Sequence, residues 1–144
     1  MMNKNLKLAT NELKTGSYAI VAVKEGKISF TGKQKGVIAL MAALHKSPEL
    51  LEGADVADKV VGRAAALLMR FGKISSVFAT VISSGAREAL MQGGIETFFD
   101  KEVPYISNRA GDGMCPMEQK CLQISDPEEA YKVLLDLFKG GVKK

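Results

Sequence analysis

The run Val77-Phe78-Ala79-Thr80-Val81-Ile82 is apolar at every position but Thr80. A strand with one wet face alternates polar and apolar residues; an unbroken run needs cover on both faces. A chain containing it must therefore place other elements above and below a sheet, which points to a layered α/β fold. Tyr18 to Val23 is a second such run. After the turn at Glu25-Gly26, Ile28 and Phe30 alternate with Ser29 and Thr31, so residues 18–31 predict a β-hairpin with a buried first strand and a half-exposed second. Ile95 to Phe99 predicts a further strand.

Helical spacing fills the intervals. Leu6, Ala9 and Leu13 predict a first helix that Thr15-Gly16 closes. Gly32 to Gly36 is a basic loop, and Val37 to His45 predicts a helix that Pro48 prevents from continuing. Asp55 as N-cap and Asp58 at the third helical position predict a helix from there to about Arg70, stopped at Gly72. Its middle, Gly62, Ala64, Ala65 and Ala66, is small enough to lie close against a sheet. Ser83-Ser84-Gly85 opens a helix that ends at Gly93-Gly94. Residues 100–114 are polar and turn-rich. Cys115-Pro116-Met117-Glu118 starts a short helix, with proline at its first position. Asp126-Pro127-Glu128-Glu129 starts the last one, which is expected to end at Gly140-Gly141. The predicted order is α, β-hairpin, α, α, β, α, β, loop, α, α. It gives a mixed sheet, antiparallel at the hairpin and parallel beyond it through right-handed crossovers. The expected fold is a three-layer α/β/α sandwich in one domain spanning 1–144.

With 144 residues the chain can bury a core without staples. No apolar run approaches the roughly 18 residues of a membrane span, and residues 1–7 show no apolar export signal. Two cysteines and seven methionines fit a reducing compartment, so a cytoplasmic location is expected. Residues 1–46 hold eight lysines against Glu12 and Glu25. Those lysines are spread over a helix, a hairpin and a loop with few aromatics between them, which argues against a nucleic-acid surface.

Two segments carry a resemblance: Ala54-Asp55-Val56-Ala57-Asp58-Lys59-Val60-Val61-Gly62-Arg63-Ala64-Ala65-Ala66, and Val103-Pro104-Tyr105-Ile106-Ser107-Asn108-Arg109 through Cys115-Pro116-Met117-Glu118. Through them the chain resembles a small prokaryotic family of unknown function with a cytidine-deaminase-like fold. The resemblance implies the same α/β/α sandwich and no assigned activity. Deaminases of that fold hold zinc with a His-x-Glu on one helix and a Pro-Cys-x-x-Cys at the start of the next. The corresponding segments here are expected at Asp58-Lys59-Val60-Val61-Gly62-Arg63 and Ser83-Ser84-Gly85-Ala86, and neither supplies a soft ligand. His45 lies on another helix without a following acid. Cys115 and Cys121, on one helix, diverge by about 9 Å of rise and roughly 120° of turn, too far to share an ion or a disulfide. No metal and no cofactor are expected.

Three groups of residues could carry chemistry. Ser83 and Ser84 sit where an interior strand gives way to a helix, where ligands of open α/β sheets gather and free amides favour an anion; the plainer reading of either is an N-cap. Asp58, Lys59 and Arg63 are expected on the first turns of one helix, with Lys59 and Arg63 on one face able to hold an anion and Asp58 able to accept a proton. The alternative there is a capped helix with an exposed Asp55–Lys59 pair. Cys115 at a helix start, with Glu118 reaching back and Arg109 from the preceding loop, could act as a nucleophile. The plainer reading is a packed thiol beside a capping acid, with Cys121 a packed helix residue.

The leading functional expectation is a metal-free domain binding a small molecule, a nucleotide-like or other anionic metabolite. Its site would be bordered by Asp58, Lys59, Arg63, Ser83, Ser84, Asn108 and Arg109. The alternative is an enzyme using Cys115 as nucleophile or redox centre with Glu118 and Arg109. A homodimer suits a domain of this size, although nothing in the sequence marks an interface.

Overall fold

The computed structural model of the chain describes residues 2–34, 37–107, 111 and 113–142. Helix α1 (Lys4–Thr15) is capped by Asn3, whose side chain accepts the Leu6 amide proton at 2.8 Å, and it buries Leu6, Ala9 and Leu13. Strands β1 (Ile20–Lys24) and β2 (Lys27–Gly32) form the antiparallel hairpin. Its turn residues Glu25 and Gly26 have φ of 50° and 78°, the left-handed pair that matches the twist of a tight hairpin. Helix α2 (Val37–Lys46) gives way to one 3-10 turn at Pro48–Leu50. Then follow β3 (Asp55–Val61), α3 (Arg63–Phe71), β4 (Ser76–Ser83), α4 (Ser84–Gln92), β5 (Glu96–Val103), α5 (Pro116–Cys121) and α6 (Pro127–Val142).

The five strands lie in the order β2-β1-β3-β4-β5. β1 runs antiparallel to β2 and β3, while β3, β4 and β5 are mutually parallel. Alternate strand residues separate two layers of core. Ile20, Ala22, Val56, Val77 and Ala79 join the main core with residues of α2, α3, α4 and α6. Val21, Val23, Ala57 and Phe78 face the other way and pack with Leu6, Ala9 and Leu13 of α1. The fold is thus an α/β sandwich with a mixed sheet, several helices on one face and α1 on the other.

One expected element is replaced. Residues 55–61 form an interior strand, not the first half of a helix, and α3 begins only at Arg63 behind Gly62. The main chain of 55–58 pairs on both sides, with β1 and with β4, which a helix could not do. Asp55 does not cap a helix. It is buried in the sheet, where its side chain accepts from Asn3 at 3.3 Å and from the Ser76 hydroxyl. Two other boundaries move. β5 continues four residues past Phe99, through Asp100-Lys101-Glu102-Val103, because β4 pairs with it as far as Ser83↔Val103. As an edge strand it can point those charges to solvent. The backbone of α6 runs past Gly140-Gly141 to Val142.

The end of α3 is built in an unusual way. The Ile74 amide donates to Met69 O at 3.2 Å and the Lys73 amide to Arg70 O at 3.0 Å, the two bonds of a Schellman cap. The residue at its left-handed position is Lys73, with φ of 60°. Glycine occupies that conformation without strain, whereas a residue with a Cβ gives up about 1–2 kcal/mol there.

Candidate functional site

The carboxyl end of β3 is where the sequence motifs meet. Gly62 N-caps α3 and offers no side chain to the first amides of that helix. The carboxylate of Glu118, from α5, sits on them: the Arg63 amide donates to Oε1 at 2.6 Å and the Ala64 amide to Oε2 at 2.9 Å. Glu118 is 6% exposed. A Cβ on residue 62 would stand 2.3 Å from its Oε1, so the approach of the carboxylate requires glycine. Burial raises the Glu118 carboxyl above the usual carboxylate range, against the opposing pull of the Ala64 and Arg63 amides and the Arg63 charge. Beside it lies a hollow of about 60 Å³ lined by Val37, Val60, Ala65, Ile106, Cys115 and Met117 as well as Gly62 and Glu118. Its rim is tied by the Cys115 amide donating to Ile106 O at 2.9 Å and by a bridge between Ser107 and Met114.

Asp58 lies two residues before Val60. Its strand partners, Ile20 and Ala79, both belong to the main core, so its side chain enters that core, where it is 1% exposed. Oδ1 accepts the Val60 amide proton at 3.3 Å, which leans the carboxyl toward the hollow end of the strand. Oδ2 is buried with no hydrogen-bond partner among the described residues. Burial pushes this acid up to about 8, with the Val60 and Lys59 amides pulling weakly the other way. Asp58 is therefore a neutral carboxylic acid at pH 7, able to donate as well as accept. A buried polar atom left unpaired costs about 1–3 kcal/mol.

The other expected site residues are dispersed or already engaged. As successive residues of a strand, Asp58 and Lys59 point to opposite faces, so Lys59 does not share a face with Arg63. It borders a recess beside Leu13 and Lys14 of α1. The Arg63 guanidinium reaches the start of α4, where three of its five N–H donors are taken by backbone carbonyls. Nε donates to Cys121 O at 3.0 Å, Nη1 to Gly85 O at 3.2 Å and Nη2 to Ile124 O at 2.8 Å. Ser83 is the N-cap of α4, accepting the Ala86 amide proton at 3.1 Å. The Ser84 hydroxyl donates to Glu102 at 2.8 Å. Asn108 and Arg109 lie outside the described residues.

Cys115 does line the hollow, at the start of α5. Glu118, however, turns neither back to it nor onto its own helix; it caps α3. Cys121, at the other end of α5, is buried, and burial together with the Glu118 charge pushes its thiol up to about 11. His45 is exposed in the last turn of α2. Among the described residues no three His, Cys, Asp or Glu side chains are grouped to hold a metal ion, and no helix is long and apolar enough to cross a membrane. Val37, Val60, Ile106 and Met117 carried no chemical signal in the sequence. Gly62 did carry one: a glycine that follows Val60-Val61 and stands one residue before Ala64-Ala65-Ala66 marks a junction of strand and helix.

A family model described as a domain of unknown function (DUF1893) matches residues 8–138. The crystal structure of a DUF1893 family protein from Thermotoga maritima is similar to this chain, with 29% identity and a TM-score of 0.85 over 94% of this chain and 92% of that one. A diaminohydroxyphosphoribosylaminopyrimidine deaminase/5-amino-6-(5-phosphoribosylamino)uracil reductase from the same organism is more distantly similar. It shows 18% identity and a TM-score of 0.47 over 67% of this chain and 35% of that one, a level at which nothing carries over. No curated protein matches the sequence.

Proposed function

The chain belongs to the DUF1893 family of unknown function, and on that premise we propose that it is a small-molecule binding domain whose ligand enters the hollow at the carboxyl end of β3. The observation that carries this reading is Asp58: a protonated acid in the core, one oxygen without a partner among the described residues, bonded to the amide of Val60, which lines that hollow, while Asp58 itself lies behind the lining. An unpaired buried acid is a stability cost that a ligand group can remove. The sequence alone suggested an anionic ligand, but its anchors are in use. Glu118 occupies the first two α3 amides, and three carbonyls take three of the five N–H donors of Arg63 and fix its direction. A second anion beside Glu118 would be repelled. The groups left over are a carboxylate with spare lone pairs, Glu118, on the wall, and a donor, Asp58, behind Val60. An amide fits them, offering an acceptor and a donor side by side within an otherwise apolar wall. The hollow has room for about two waters, so it takes the amide edge of a larger, nucleobase-like or nicotinamide-like molecule, not the whole of it.

Thermal melting of the full chain with nicotinamide, uracil and cytosine, against phosphate and acetate, tests this. At least one amide compound should raise the melting temperature, the anions should not, and Asp58→Ala should abolish the response. The proposal fails if only the anions stabilise the protein, if none of the compounds does, or if Asp58→Ala responds like the parent.

A second reading rests on Cys115 lining the same hollow. There the thiol is a nucleophile toward a bound electrophilic carbonyl, with Arg109 in support, and Glu118 helps only if it leaves α3. Alkylation rates of the parent and of Cys115→Ser across pH 6 to 9 test it. Labelling no faster than that of a free thiol removes the reading.

A further inference from the structure

A second opening lies at the other end of α3. It is a cleft of about 420 Å³ bordered by Leu44, Pro48, Phe71 and Tyr131, with Glu52 and Lys73 also lining it. The volume falls within the range of small-molecule pockets, roughly 300–1,000 Å³. One wall is a stacked pair of rings, Phe71 and Tyr131, with centroids 4.5 Å apart and planes inclined by 11°. The two loops that bring the charges are joined by the Gly53 amide donating to Lys73 O at 2.9 Å, and Glu52 and Lys73 both line the cleft without an ion pair between them. Neither forms an ion pair with another described residue. Lys73 adds an independent observation. It stands at the left-handed position of the α3 cap, where glycine would be free of strain. A side chain kept there at a cost to the backbone points to use of that side chain.

We propose that this cleft binds a free α-amino acid with an apolar side chain, as its zwitterion. Glu52 holds the ammonium, Lys73 holds the carboxylate, and the side chain lies against Leu44 and the ring pair. The two opposite charges explain why a zwitterion fits better than either ion alone, and the apolar wall explains the side chain. The proposal is independent of the hollow at β3, which no residue of this cleft touches.

Isothermal titration of the full chain with L-phenylalanine and L-leucine tests it, with phenylpropionate (no ammonium) and phenethylamine (no carboxylate) as controls. The amino acids should bind at millimolar concentration or below, and each control should bind about tenfold more weakly. Lys73→Gly suits the backbone better than lysine does, so that variant should fold at least as well as the parent. It should bind L-phenylalanine about tenfold more weakly and no longer distinguish it from phenethylamine. Glu52→Gln should show the converse with phenylpropionate. Equal binding of the amino acid and either control, unchanged affinity in Lys73→Gly, or no binding of either amino acid would overturn the proposal.

Discussion

A carboxyl group in an unfolded chain titrates near pH 4, whereas Asp58 in the folded sheet keeps its proton to about 8. Between those values the unfolded chain has released a proton that the folded one retains. Unfolding is therefore favoured as pH rises, by about 1.4 kcal/mol per unit across that window, with no penalty from this group at lower pH. Glu118, also raised by burial, adds a smaller contribution of the same sign. Urea midpoints measured from pH 5 to pH 8 should fall for the parent and change much less for Asp58→Asn, which cannot ionise. An equal decline in that variant would assign the pH dependence to other groups. From the sequence Asp58 could be named but not understood. Its residue type marks it as a candidate, but its burial follows from strand pairing with Ile20 and Ala79, which are distant in the chain.

At the scale of elements, the contact that joins α5 to α3 is the Glu118 carboxylate on two amides, and Gly62 makes room for it. Glu118→Ala should cost about 2–3 kcal/mol, because it leaves two buried donors unpaired. Gly62→Ala should cost a similar amount by driving the carboxylate away. In the double variant the two losses should fall well short of adding, since each breaks the same contact. Additive losses in a double-mutant cycle by urea unfolding would show that residue 62 acts otherwise. This junction also explains what the sequence concealed. α1, the hairpin, α2, β4, α4 and the starts of α5 and α6 were legible from periodicity and caps. Asp55–Val61 was not, because Asp55 and Asp58 mimic a helix start and interior strands seldom carry two acids. Each acid is buried for its own reason, Asp55 by Asn3 and Ser76, Asp58 by losing its charge. The Glu118 contact spans 55 residues, a separation over which local patterns are silent.

Across the whole molecule the two core layers are unequal. The layer under α1 is a small cluster around Leu6, Ala9 and Leu13, while the other layer joins five helices, α2 to α6, to the sheet. Regions with less buried apolar contact open at lower free energy. Amides of α1 should therefore exchange with solvent well before those of β3 and β4 in native-state hydrogen exchange, and Leu6→Ala should widen the gap. Simultaneous exchange of both would mean that the layers open as one. α3, nine residues long and so about 13 Å from end to end, has its first turn at the hollow and its last residue, Phe71, at the cleft. A rod that short does not bend appreciably. If an occupant slides or tilts it at one mouth, the opposite mouth changes shape as well. Only ligands that each favour a different position of this rod would be linked energetically, and then by the same factor in both directions.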